Sequence, residues 1–363
     1  MPNANPEQRS GGQPPKRFAP DFWDAPFPLY ADEDLPSYLG SSTFLKLPLV
    51  ESADSLAARH ADAAIVGAPF DDGVTHRSGA RFGPRAIRQA TYVVGRSFPS
   101  LQHDLLEPLQ VLDVVDAGDA NLVPAWHQRG HAVIYRKVGE VARSGAVPII
   151  LGGDHSITWP AVTAVAEAWW PRRVGVVHFD AHADTVPSNW GQPLALSGHG
   201  TPMRRLIESG AVAGGNFVQV GLRGYWPGGE AFAWMREQGM RWHLMREIDE
   251  RGFDHVLADA VAQASDGPDV IYVSIDIDVV EPGSAPGTGA PEPGGLAPRE
   301  ILRAVRRIVR EVPVVGVDVV EVAPAYDVSE VTSALANRIV MEALSSLAAR
   351  KHHSGSLPRP GEG

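Results

Sequence analysis

Asp180, His182 and Asp184 alternate along the run His178-Phe179-Asp180-Ala181-His182-Ala183-Asp184, which follows the apolar stretch Val174-Gly175-Val176-Val177. In an extended segment, side chains two residues apart point to one side. The spacing therefore sends two carboxylates and an imidazole the same way, at the end of a strand. The run Asp269-Val270-Ile271-Tyr272-Val273-Ser274-Ile275 repeats the design and delivers Asp276 and Asp278. A third polar cluster, Gly152-Gly153-Asp154-His155-Ser156, follows Val147-Pro148-Ile149-Ile150-Leu151.

The donors are then His155, Asp180, His182, Asp184, Asp276 and Asp278. Together they outnumber the ligands of an ordinary structural zinc site. They suit two divalent ions roughly 3.5–4 Å apart that share a water or hydroxide. Mostly hard oxygen with some nitrogen favours Mn²⁺, with Ni²⁺, Co²⁺ or Fe²⁺ as alternatives. Such a pair lowers the pKa of its water, so that hydroxide is available near neutral pH. His178 shares the parity of Asp180 but lies deeper in the strand, and reads as a core histidine. Taken singly, each Asp or His also reads as a turn former at a strand end. Three such clusters at equivalent places favour metal.

The elements that must position these groups alternate along the chain. Strands are expected over 63–67, 111–115, 147–151, 174–179, 217–220, 269–275 and 314–320. Helices are expected over 84–93, 131–144, 160–168, 203–209, 229–238, 253–264 and 298–310, with a long last helix over 329–350. This order predicts an α/β protein, one domain of three α/β/α layers around a mainly parallel sheet. Ligands of such sheets bind outside the carboxyl ends of the strands, where all three clusters fall. Residues 1–20 and 351–363 read as mobile tails, 21–62 as an N-terminal extension and 63–350 as the catalytic domain.

Bulk composition narrows the function classes. A net charge of −11 with no basic stripe argues against nucleic acid and anionic membranes as partners. The absence of cysteine excludes disulfides, thiolate-bound zinc and a cysteine nucleophile. No apolar run approaches the roughly 18 residues of a membrane span. The start, Met1-Pro2-Asn3-Ala4-Asn5, has no secretory pattern. The expectation is a cytoplasmic protein.

The three clusters resemble the signature segments of the ureohydrolases, the arginase and agmatinase family. The likeness extends to Gly67-Ala68-Pro69-Phe70-Asp71 and to Ser78-Gly79-Ala80-Arg81-Phe82-Gly83-Pro84-Arg85-Ala86-Ile87-Arg88. Later, Asp318-Val319-Val320-Glu321-Val322-Ala323-Pro324-Ala325-Tyr326-Asp327 is similar to the agmatinase branch. The resemblance implies an arginase-like fold and all six donors as metal ligands. It implies that Asp184 orients the hydroxide, that His199 shuttles a proton to the leaving amine, and that Glu321 holds the substrate's guanidinium. The implied reaction is hydrolysis of a small cationic guanidino compound to urea or a urea derivative plus an amine. Agmatine, 4-guanidinobutanoate, 3-guanidinopropanoate, guanidine and biguanides all fit, and arginine is disfavoured. A homo-trimer or hexamer is implied, with a hetero-oligomer as alternative. Competing readings are a non-catalytic subunit of a heteromeric enzyme and a metal-dependent deacylase.

The chain departs from the family pattern in two places. Glu281 precedes Pro282 where the family has Asp, which bears on the local loop. Gly287-Thr288-Gly289-Ala290-Pro291 replaces a second threonine by Ala290, which bears on substrate contacts. Phe22, Trp23, Phe27, Tyr30, Tyr38 and Phe44 are candidates for an interface, a pocket mouth or plain surface packing. His76, Arg77 and the loop 121–128 are candidate specificity elements.

Overall fold

A computed structural model describes residues 40–93, 97–124, 126–187 and 198–361. Eight strands form one sheet: β1 Ala63–Gly67, β2 Val114–Asp119, β3 Val147–Leu151, β4 Val174–Phe179, β5 Phe217–Leu222, β6 Arg241–Leu244, β7 Val270–Asp276 and β8 Val314–Val320. Their order is β2-β1-β3-β8-β7-β4-β5-β6, and every pairing is parallel. The sheet is parallel throughout, where a mainly parallel one was expected.

Alternation along the strands divides the core in two. In β4, Val177 and Phe179 face one layer, packed with the helices Phe253–Ala264, Pro298–Glu311 and Val331–Ser354. Val174 and Val176 face the other, packed with His127–Arg143, Thr158–Trp169 and Pro202–Glu208. Because both faces are covered, β1, β3, β4, β7 and β8 are buried along their whole length. This is the expected three-layer α/β/α architecture.

Several boundaries differ from expectation. The run 111–115 starts too early, since Pro108–Val111 is a single helical turn and β2 begins at Val114. The edge strand β6 and the short helices Ala53–Arg59 and Met245–Arg251 were not anticipated. The last helix continues to Ser354, Lys351 Nζ reaches Asp62 at 2.7 Å, and Leu357 is buried, so the expected tail from 351 is docked at its start. Of the early aromatics, Phe44 is wholly buried in the core, so it serves neither an interface nor a pocket mouth. Phe22, Trp23, Phe27, Tyr30 and Tyr38 lie outside the described residues.

Candidate metal centre and active site

The strands β3, β8, β7 and β4 are neighbours in the sheet, and each ends on a candidate residue. His155 follows β3, Glu321 follows β8, Asp276 ends β7 with Asp278 beyond it, and Asp180, His182 and Asp184 follow β4. Register fixes their depth, with Phe179 beside Ile275, and Asp276 beside Val320. Four consecutive strand ends thus converge.

Spacing in the polar clusters has a local cause. Oδ1 of Asp180 accepts the backbone N–H of His182 at 2.6 Å, and Oδ1 of Asp276 accepts that of Asp278 at 2.8 Å. Oδ1 of Asp154 treats Ser156 the same way at 2.9 Å. Each aspartate caps its own turn two residues on. In both Asp180 and Asp276 the second oxygen faces the centre, within 3.2 Å of His155 Nδ1. The turn-forming and metal-binding readings of the sequence therefore coexist in the same side chains.

The centre forms around His155. Its Nδ1 lies 3.1 Å from Asp180 Oδ2, 3.0 Å from Asp184 Oδ2 and 3.2 Å from Asp276 Oδ2, yet it makes no hydrogen bond. The other ring nitrogen is engaged. Nε2 meets Ser274 Oγ at 3.0 Å, and that hydroxyl donates to Asp318 Oδ1 at 2.7 Å. The hydroxyl has spent its proton on Asp318, so it accepts from Nε2–H. Burial works against the charged ring, but Asp180, Asp184 and Asp276 around Nδ1 outweigh it and hold His155 well above the ordinary histidine range; a cation among them would answer the same excess of negative charge. Across the centre, His182 Nδ1 sits 3.0 Å from Asp278 Oδ2.

Charge tells the same story. Burial, and then Asp278 and Asp180, push the Asp276 carboxyl well above the usual range. Burial raises Asp278 to about 6, with Asp180 adding to it and His182 opposing. Asp184 is raised by burial and then by Asp180. These carboxylates repel one another when nothing neutralises them, and divalent cations with hard-oxygen preference fit them.

His178 is buried and doubly engaged. Gln219 Nε2 donates to its Nδ1 at 2.9 Å, and its Nε2 reaches Asp180 Oδ2 at 2.8 Å. It holds Asp180, which fits its reading as a core histidine. Asp184 and Glu321 both have left-handed backbones, with φ of 53° and 63°. For glutamate that conformation is uncommon, and a bond from its N–H to Gly153 O, 2.8 Å, secures it. Gly153 itself admits no side chain: a Cβ would stand 1.7 Å from Phe70 O.

Glu321 divides its oxygens. Oε1 accepts the His155 backbone N–H at 2.8 Å and faces His199 Nδ1 at 3.1 Å. Oε2 is buried without a partner. His199 is raised to about 9: burial works against the charged ring, but Glu321 outweighs it.

These groups floor a cavity of about 460 Å³. His76 and Ala290 line it, as does Trp226, whose ring meets His182 edge-on at 5.7 Å. Arg77 does not line it. That side chain donates to the carbonyls of Thr288 and Gly289 at 2.8 and 3.3 Å, and so braces the loop. From the 121–128 loop, residues 121–124 line a separate cavity with Arg81 and Asp119. Glu281 accepts the N–H groups of Gly294 and Gly295 at 2.7 and 2.9 Å, closing its loop without entering the centre.

Sequence reasoning missed Asp318, Ser274, Thr75 and Trp226. Asp318 sits inside the apolar run of β8 and accepts from Thr158, Tyr272 and Ser274. A charged residue in a fully buried strand was its signal. The others carry no sequence signal of their own.

Residues 61–345 match the arginase family. The chain is 39% identical to a mitochondrial agmatinase of Gallus gallus over 315 residues, 85% of this chain and 86% of that protein. It is 37% identical to a guanidinopropionase of Pseudomonas aeruginosa over 328 residues, covering 90% and 97%. Among solved structures, proclavaminate amidinohydrolase of Streptomyces clavuligerus superposes with a TM-score of 0.77 at 35% identity, covering 87% of this chain and all of that one. Fold, site and sequence together make this chain a member of the arginase family.

Proposed function

We infer that the protein is a binuclear-metal amidinohydrolase, which hydrolyses a small guanidino compound to urea or a urea derivative and an amine. The observation that carries this is His155 Nδ1, buried without a hydrogen bond and within 3.2 Å of three buried carboxylates. His155, Asp180, His182, Asp184, Asp276 and Asp278 would hold the ions, with Mn²⁺ favoured by the oxygen-rich set and Ni²⁺ as the alternative. When bound, the ions supply Lewis acidity and lower the pKa of a coordinated water.

The chain's own groups do the rest. Asp184, against the centre, accepts from the attacking water and orients it. Glu321 Oε2, buried and unpaired, receives the N–H edge of the guanidinium in a charge-assisted bond. His199, beside Glu321, carries a proton to the leaving nitrogen as the C–N bond breaks. Water supplies oxygen to the guanidine carbon and the amine leaves protonated, so the atoms balance.

Convergence of all six donors argues against a subunit that has lost its chemistry, and the free Glu321 oxygen argues against a deacylase. The family implies a trimer or hexamer, and we extend the reading to a cytoplasmic enzyme; light scattering and cell fractionation test these two points. No helix among the described residues is long and apolar enough to cross a membrane. The direct test loads purified protein with Mn²⁺ or Ni²⁺ and follows urea and amine from a guanidine panel. Equal release of both, abolished in His182→Ala, supports the reading. Absence of product from every compound, with both ions bound, overturns it.

A further inference from the structure

The cavity has two chemically different halves. Its inner half is ionisable throughout: His182, Asp184, His199, Asp276, Asp278 and Glu321. The more exposed outer half consists of Thr75, His76, Val186, Trp226 and Ala290, with Gly200 between the two. Among the described residues, no Asp, Glu, Lys or Arg lines that outer half.

The two nearby arginines are already engaged. Arg77 is held by two backbone carbonyls and lies over the Tyr326 ring at 4.6 Å. Arg223 donates to the carbonyls of Asp278 at 2.7 Å and Glu292 at 2.6 Å. Glu292 packs beside Gly224, outside the lining.

Trp226 is the largest side chain of this outer half and is held in place. It stands three residues beyond the anchored Arg223, and its ring contacts His182. Even so, it is 42% exposed, which leaves an aromatic surface open to the cavity. Ala290 offers a methyl group where the family pattern has a hydroxyl. Among the described residues of this half a cationic tail would meet no carboxylate and an anionic tail only the exposed His76, whereas an apolar tail gains burial against indole and methyl surface.

Resting on the amidinohydrolase reading, we propose that this enzyme selects monosubstituted guanidines whose substituent is an uncharged alkyl or aryl group. Trp226 is the specificity-determining surface. The guanidinium sits among the inner carboxylates, and the tail lies along the indole.

The test compares n-butylguanidine, agmatine and 4-guanidinobutanoate, which share a four-carbon chain but differ in tail charge. With the Mn²⁺-loaded enzyme, n-butylguanidine is expected to have a kcat/KM about tenfold above either charged compound. Trp226→Ala should remove about tenfold of that advantage through KM. Trp226→Phe, which keeps an aromatic face, should restore most of it. As a readout independent of turnover, calorimetry should give n-butylguanidine a lower Kd than agmatine, and the gap should close in Trp226→Ala. Equal or better use of either charged compound overturns the proposal while leaving the hydrolase reading intact. So does unchanged discrimination in Trp226→Ala. No product from any of the three or from guanidine, with two ions bound, removes the hydrolase reading and this proposal with it.

Discussion

Thr75 grips Nε2 of His199 twice, with its backbone N–H at 3.3 Å and its hydroxyl at 2.9 Å, while Glu321 Oε1 stands 3.1 Å from Nδ1 on the other side of the ring. The Nδ1 proton faces the carboxylate, which, against the effect of burial, raises the ring to about 9. The backbone of His199 is pinned too, its N–H donating to Gly73 O at 3.0 Å. Gly73 N–H in turn donates to the buried Asp154 Oδ2 at 2.7 Å. The ring proposed to move a proton is thus fixed in place by the loop opposite.

Thr75→Val keeps the amide and the shape but deletes the hydroxyl. If His199 carries the proton, kcat should fall about three- to tenfold with KM within about twofold, the pattern of a weakened proton transfer. Thr75→Ser should recover it. A change confined to KM would show instead that Thr75 touches substrate.

Ser274 passes the charge of Asp318 to His155 without facing the cavity. Ser274→Ala should weaken metal binding by about 10- to 100-fold, as loss of a partner behind a metal-bound histidine does. Calorimetric titration with Mn²⁺ reads this directly. Unaltered affinity would mean that His155 is oriented by packing alone.

Glu321→Gln can replace the unpaired Oε2 by an amide NH2, which cannot accept from the guanidinium. kcat/KM is expected to fall about a hundredfold, equivalent to ~3 kcal/mol, with two ions still bound. Wild-type kinetics in this variant would remove Glu321 from the substrate site.

Acid stability has a source away from the metals. His131 packs among Phe70, His127 and Trp159, and its Nε2 meets Ser156 Oγ at 2.9 Å. Burial, with His127 adding, depresses it to about 3. The unfolded chain, with an ordinary histidine near pKa ~6.5, takes up a proton that the fold refuses. The stabilisation is therefore complete above pH ~6.5 and is lost as pH falls from there toward 3, at up to ~1.4 kcal/mol per pH unit. Denaturant unfolding of wild type and His131→Phe between pH 7 and 4.5 should show a shallower acid decline in the variant. Parallel curves would refute this assignment.

Much of this was legible in the sequence, for identifiable reasons. β1 and β3 are continuous apolar runs, and β4 and β8 are interrupted only by His178 and Asp318, because both faces of a parallel sheet are covered, and their bounds follow from that. The edge strand β6, Arg-Trp-His-Leu, pairs only with β5 and is mostly half-buried, so it carries no such run. Asp180 and Asp276 announced themselves through two-residue spacing, which the turns they cap require. That their strands are neighbours depends on sheet order, which spacing cannot convey. Thr75 and Trp226 stand on loops, where position follows from distant anchors such as Asp154 and Arg223 rather than from any local pattern.

The central claim is that six side chains hold two ions whose joint presence makes a guanidine hydrolase. Metal-free protein should be titrated with Mn²⁺ while bound metal and urea release from n-butylguanidine and guanidine are measured at each addition. The account predicts two equivalents bound per chain, and urea release that rises through the second equivalent and then levels off. Binding that stops at one equivalent, or two bound equivalents with no urea from either compound, would contradict it.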